Sequence, residues 1–396
     1  MSKNRIWQKI CGIGAVAVLL LAGGISEAAV PEPTVQVGLG TNKAEHTITA
    51  NVAFAVTDKK GNRTYLKLRA NQKATVAIGK KGITVNGKEI TSSNVAIQVD
   101  TKSKKGLLKL DGVPYRGKLQ IDLRKNQTKL TTVNEVLLEE YLYGVVPNEM
   151  SYSWPMEALK AQAVAARTFV LHDLKKHASE GYDVCATTHC QVYSGKQKEH
   201  VRTNEAVDTT KGEYLAYNGK AILSLFHASG GGYTEHSENV WGKKEPYLRG
   251  VPDYNKSPWE VKMTIGKLSS ALKARGKSVG EIREIKLSKL EKQPVKESDR
   301  GISGRVRTMT IEGDRGSVQI KGTEMRSMLG LKSTLFDIDQ RTFEGKESES
   351  FTISGYGFGH GLGMSQWGAK AMAEKKSDYR EILKHYYSKT DLKKIK

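Results

Sequence analysis

The sequence predicts an α+β fold: a β-rich N-terminal part, a buried Ala-rich helix, mixed sheets and a peripheral β/α insertion. Three observations predict it. Residues 30–135 read as β, with apolar and polar side chains alternating at period two and an Asn-Gly hairpin signal. Residues 155–176 hold an Ala-rich run that is apolar nearly all round, as in a helix with neighbours on every side. Residues 262–350 are richer in Lys and Arg and carry short alternating strands. At 396 residues the chain suits two packed units. The expected division is residues 29–115, and residues 116–396 with the insertion at about 262–350.

Residues 1–28 come first. Lys3, Arg5 and Lys9 precede an uncharged run from Ile10 to Ile25, and Ser26-Glu27-Ala28-Ala29 supplies small residues for cleavage after Ala28. The segment reads as a signal peptide. Its alternative is a retained N-terminal anchor, although the run is short for a bilayer that takes about 20 helical residues. Cleavage would leave no stable membrane span.

The β elements follow. Ile48, Ala50, Val52 and Phe54 alternate with Thr49, Asn51, Ala53 and Ala55, suggesting a continuous strand. Asn86-Gly87 and Asn218-Gly219 are type I′ hairpin signals. GITVNGKE imitates a phosphate-binding loop, but Glu89 stands where a magnesium-ligating Ser or Thr belongs, and a hairpin stands where a helix should start. Pro155 and Glu157 suit the first turn of the Ala-rich helix. Near the C-terminus Tyr379, Ile382, Leu383, Tyr386 and Tyr387 have helical spacing, with Ser377 as the expected N-cap.

The balance of 63 Lys+Arg against 42 Asp+Glu gives a net charge of +21. Such a protein suits nucleic acid, a membrane surface or an anionic polymer. Export disfavours nucleic acid and favours a cell wall with carboxylate and phosphate polymers. Outside the signal segment, Cys185 and Cys190 lie five apart in DVCATTHCQVY. A Cys185–Cys190 disulfide is the expectation in an oxidising compartment. His189 also permits a structural zinc, for which Cys185, His189 and Cys190 give three of the usual four ligands. No other cofactor is required.

Three segments carry chemical potential. Glu149 lies in VVPNEMSYSWP among apolar and aromatic neighbours. Desolvation there would raise its pKa and suit a general acid. The alternative is a loop acid near a helix N-terminus, whose dipole would lower the pKa. Lys160 and Arg167 stand two turns apart on the Ala-rich helix, either as the basic wall of a cleft or as a core salt bridge. HASGGGYTEHSENVWG offers Ser229 and Thr234 around three glycines, as a polar binding loop or a tight turn. It is not the Gly-x-Ser-x-Gly of a serine hydrolase, and His227 and His236 lack metalloprotease spacing. GYGFGHGLGMSQWG places Gly at every second position from 355 to 363. In a strand this would leave one face bare for a ligand or a crossing helix, beside His360 and Gln366.

Taken in order, LLEEYLYGVVPNEMSYSWPMEALKAQAVAART, DVCATTHCQVYSG, HASGGGYTEHSENVWGKKEPYL and GYGFGHGLGMSQWGAKAMA resemble the stage II sporulation protein D / amidase-enhancer (SpoIID/LytB) family across residues 116–396. Ala228-Ser229 stands where a more typical member shows two serines, and Gly232 adds a third glycine. The resemblance implies a glycan groove beside the buried helix and a peptidoglycan lytic transglycosylase. It would cleave between N-acetylmuramic acid and N-acetylglucosamine in peptide-stripped strands, leaving 1,6-anhydro ends. Glu149 would be acid and then base. Lys160, Arg167, Ser229, Thr234, Tyr247, Arg249, His360 and Gln366 would contact substrate. The family also contains non-catalytic enhancers of a separate cell-wall amidase.

Overall fold

Residues 32–40, 43–99, 105–124 and 128–395 are described by a computed structural model. The expected signal segment lies outside them. Among the described residues no helix is long and apolar enough to cross a membrane. Among the described residues, the eight α-helices and the sheets belong to one unit, Glu32–Ile395, built around two hydrophobic cores.

The N-terminal part is a two-layer β structure. A seven-stranded sheet takes Thr34–Gly38, Phe54–Thr57, Thr64–Leu68, Asn94–Val99, Lys118–Asp122, Thr131–Leu137 and Val184–Cys185. A six-stranded sheet takes Glu45–Ala50, Ala74–Ile78, Ile83–Val85, Lys88–Ile90, Leu108–Leu110 and Val113–Tyr115. Val56, Ile97 and Ile121 of the first sheet share one core with Ile48, Val76 and Leu108 of the second, so strands on both sides of residues 115–116 belong to this structure. The expected strand through residues 48–55 is broken at 51–53, and its halves pair in different sheets. Both Asn-Gly hairpins form, each with two positive φ angles.

Thr34–Gly38 runs antiparallel to Thr131–Leu137 and parallel to Val184–Cys185. From residue 137 the chain enters helix α1 (Leu138–Glu149), then the Ala-rich α2 (Met156–Asp173) and α3 (Val201–Thr209). Helix α2 is buried from Ala161 to Val170, and its small side chains let neighbours approach from several sides. Arg167, the largest polar side chain inside, is 0% exposed.

After a five-residue helix, α4 (Ser237–Trp241), the second core begins. It gathers buried residues from Trp259 to Ile353, two three-stranded sheets, α5 (Ile265–Lys273) and α6 (Gly322–Leu329). The chain then rejoins the first core through α7 (Gln366–Glu374) and α8 (Tyr379–Tyr386). The N-cap of α8 is Asp378 rather than the expected Ser377. Asp378 forms a capping box with Glu381, satisfying two backbone donors at once.

The alternating-glycine segment is not an extended strand. The strand Ser350–Tyr356 takes only its first two residues, and Gly357, Gly359, Gly361 and Gly363 all have positive φ. A Cβ on Gly361 would stand 2.3 Å from Arg305, and one on Gly363 would stand 2.0 Å from the carbonyl of Leu225. The close approach inferred from the glycines is made by the protein itself.

Candidate active site

Glu149 is the last residue of α1, where the helix dipole opposes a negative charge. The sequence alternative of a carboxylate favoured by a helix N-terminus therefore does not apply. Burial pushes its pKa up, while hydrogen bonds from Gln366 and the Val192 backbone pull against that rise. Gln366 Nε2 donates to Glu149 Oε2 at 3.3 Å and to Gln162 Oε1 of α2 at 3.3 Å. Asn148 fixes the preceding turn by donating to the Gly144 carbonyl and to Ser194 Oγ. No salt bridge to Glu149 occurs among the described residues.

Glu149 opens onto a cavity of about 760 Å³. One wall comes from α1 and the end of α2, with Asn148, Phe169 and Asp173. The rest of the lining includes Phe226, His227, Trp241, Phe358, His360 and Gln366, together with His189 and Cys190. The strand Phe226–His227 pairs in parallel with Met364–Ser365, and the next residue, Gln366, reaches the end of α1. Lys176 is the cation on the lining, and it is tied to Asp173 at 2.8 Å.

The other sequence candidates occupy varied places. Arg167 does not line the cavity. It makes a two-pronged contact with Glu139, at 2.9 and 2.5 Å, and donates to the Glu213 carbonyl, which is the salt-bridge reading. Lys160 pairs with Glu157 at 2.8 Å, away from the lining. Ser229 is buried and donates to Asn255 Oδ1, and Thr234 Oγ1 accepts from Val251 N. Tyr247 is buried with its hydroxyl near Leu223 N, and Arg249 pairs with Glu238. Only His360 and Gln366 of the eight expected contacts share the cavity with Glu149. His360 Nδ1 accepts from Leu362 N, so that nitrogen carries no proton. His227 holds the other tautomer, donating from Nδ1 to the Leu362 carbonyl at 3.0 Å. Burial lowers the pKa of both rings, and nearby Arg305 adds to the effect, so both are neutral near pH 7.

The expected Cys185–Cys190 disulfide is not formed; both are free thiols. They are gathered with two imidazoles instead, because His177 supplies a fourth group that DVCATTHC does not contain. The ligand atoms of His177, Cys185, His189 and Cys190 all lie within 4.8 Å of one another. Cys190 Sγ is 3.4 Å from His177 Nε2 and 3.7 Å from His189 Nδ1, and Cys185 Sγ is 3.7 Å from that same nitrogen. A tetrahedron with Zn–S near 2.3 Å and Zn–N near 2.1 Å has edges of roughly 3.3–3.8 Å, so this donor set fits zinc. The missing ligand was legible only as a lone His eight residues before Cys185.

Known proteins are similar along most of this length. The family described as "Stage II sporulation protein" matches residues 126–217, and a domain family of unknown function matches residues 254–363. The stage II sporulation protein D of Bacillus amyloliquefaciens is 35% identical over 283 residues, covering 67% of this chain and 77% of that protein. Its counterpart in Bacillus subtilis is 31% identical over 323 residues, covering 77% and 87%. The chain belongs to the stage II sporulation protein D family. An uncharacterised protein of Brachyspira hyodysenteriae is 34% identical over 366 residues, covering 90% of this chain and 92% of that protein. The amidase enhancer of Bacillus subtilis is 31% identical over 341 residues, and the chain spans about half its length, 47%. The ordered motifs therefore identified the family. Glu149 and the Cys/His cluster fall in the first matched segment, and the second core falls within the second.

Proposed function

We propose that this protein is an exported lytic transglycosylase of peptidoglycan, with Glu149 as its single acid/base. The observation that carries the reading is Glu149 itself: a carboxyl at a helix C-terminus, desolvated, without a cationic partner and open to a cavity of about 760 Å³. Such a group stays protonated at higher pH than an ordinary glutamate, as a general acid requires. Its proton passes to the oxygen joining N-acetylmuramic acid to N-acetylglucosamine as the C1–O bond breaks. The muramic C6 hydroxyl bonds to C1, and its proton returns to Glu149. The ring closure consumes no water, so one carboxyl serves both steps, unlike the carboxylate pair of ordinary glycosidases. Gln366, donating to Oε2, holds the carboxyl in place for both transfers.

His177, Cys185, His189 and Cys190 are proposed to hold a structural zinc. When bound, it would cross-link the turn at 177 to the 185–190 loop and brace the cavity side formed by His189 and Cys190. Metal analysis should find one zinc per chain, lost in Cys190→Ser.

A second reading is favoured by the relative named amidase enhancer: a basic wall-binding protein that stimulates a separate amidase. Mass spectrometry of denuded glycan strands after incubation with the protein separates the two. Anhydro-muramic ends that vanish in Glu149→Gln support the enzyme. Binding without such ends rejects it in favour of the enhancer.

A further inference from the structure

Two large aromatic side chains on the cavity lining are left half in water. Trp241 is 52% exposed and Phe358 is 53% exposed. Scattered exposed aromatics need no explanation, but these two face the same cavity as Glu149, and neither is on a loose backbone.

Phe358 is held on both sides. Its N–H donates to the Ser229 carbonyl at 2.9 Å, and its carbonyl accepts from Ser229 N at 3.0 Å. The flanking Gly357 and Gly359 have φ of +75° and +109°, so the ring stands on a backbone that most residues could not follow. Trp241 ends α4, where Gly242 closes the helix by donating to the Glu238 carbonyl at 3.1 Å. Asn239 of the same helix donates to Glu235 Oε1 at 2.8 Å. Glu235 is buried and also accepts from Ser303 N and Ser303 Oγ, at 3.1 and 2.6 Å. Arg305 then reaches the carbonyls of Gly230 and Tyr233, at 3.0 and 3.1 Å. The 254–363 segment thus clamps the loop that precedes Trp241 and also carries Phe358.

Leaving such surface wet costs free energy in proportion to its area, roughly 25 cal/mol per Å². A fixed apolar face beside a polar reacting end suits a ligand with the same division. A pyranose has it, with hydroxyls round its edge and C–H bonds across its face. The negative face of an aromatic ring attracts those C–H dipoles.

We infer that Trp241 and Phe358 form a stacking platform for one pyranose ring of a glycan strand, next to the bond that Glu149 cleaves. The inference rests on the glycan reading above, yet it concerns binding and is separable from catalysis. The clamp gives the 254–363 segment a task, which is to hold this platform at a fixed distance from α1.

The test uses the Glu149→Gln chain, which should bind without turnover, and denuded glycan strands as the probe. Tryptophan emission should shift to the blue on binding. Trp241→Leu, which keeps an apolar side chain but loses the aromatic face, and Phe358→Ala should each weaken binding about tenfold, as for an aromatic contact at a binding hot spot. Both sites are exposed enough for the variants to fold, and unchanged melting temperatures would verify that. Binding within twofold of the parent in both variants overturns the platform, as does a parent that binds no glycan. Tight binding that depends on both rings, with no anhydro products from the wild type, keeps the platform and removes the catalytic reading. Undiminished product formation by Trp241→Leu at low substrate removes the platform and keeps the catalytic reading.

Discussion

Glu139 and Glu149 stand at opposite ends of α1, the same side chain in contrasting surroundings. Glu139 is in the first turn, where the helix dipole favours its charge, and both its oxygens meet the Arg167 guanidinium. It also accepts from Gly212 N. Glu149 is at the unfavourable end, with Gln366 and one backbone N–H for company. Pairing turns the first into a rivet between α1, α2 and the segment after α3. Withholding a partner leaves the second able to carry a proton.

Breaking the rivet should have the largest effect. Arg167→Met leaves the buried Glu139 uncompensated and should cost about 3–5 kcal/mol in denaturant unfolding. The double variant Glu139→Gln/Arg167→Met should recover much of that loss, because no lone charge remains. A double variant no better than the single would mean that the arginine acts through its carbonyl contacts. Next comes the clamp at Glu235, a carboxylate neutralised by hydrogen-bond donors rather than by a direct ion pair. Ser303→Ala removes one donor to Glu235 and one acceptor from Arg305, and should cost about 1–3 kcal/mol. Arg305 remains charged there even though burial brings its pKa down to about 10.

Two smaller effects sharpen the contrast. The folded state holds the proton of Glu149 more tightly than the unfolded chain does, because its pKa is raised. Stability therefore falls as pH rises from the ordinary glutamate range through the raised value, and the full penalty persists above it. Glu149→Gln should melt higher than the wild type at pH 7, with the gap closing as the pH drops below that range. A lower melting temperature at pH 7 would place Glu149 with the rivets. Gln366→Ala removes a donor to the carboxylate, so the basic limb of the pH–rate profile should move to higher pH, with the acid limb little changed.

Much of the fold was legible because it rests on local rules. The Asn-Gly turns, the Ala-rich α2 and the C-terminal helix follow from spacing and turn chemistry at positions such as Asn86, Ala163 and Ile382. The neighbours Val145, Val146 and Met150 pointed to a desolvated Glu149 but left a dipole-stabilised loop acid open; its place at the C-terminal end of α1 belongs to the folded chain. What depends on distant pairing was not. Nothing near Arg167 announces Glu139, 28 residues earlier, and His177 joins Cys185 only because a strand and a turn bring them together. The glycines at 357–363 signalled a close approach correctly. Their positive φ angles, and the identity of the approaching group as Arg305 and the 225–231 segment, are properties of the assembled chain.

The strand Thr34–Gly38 lies between Thr131–Leu137 and Val184–Cys185. During synthesis it therefore emerges long before either edge partner exists. At about 5–20 residues per second, roughly 7–30 s separate its appearance from that of residue 184. For that interval the edge that Val184–Cys185 covers has no partner, while the other edge gains Thr131–Leu137 earlier. The sheet that carries Cys185 closes only when the late strand arrives, which makes the arrival of the Cys/His loop the event that completes the N-terminal layers.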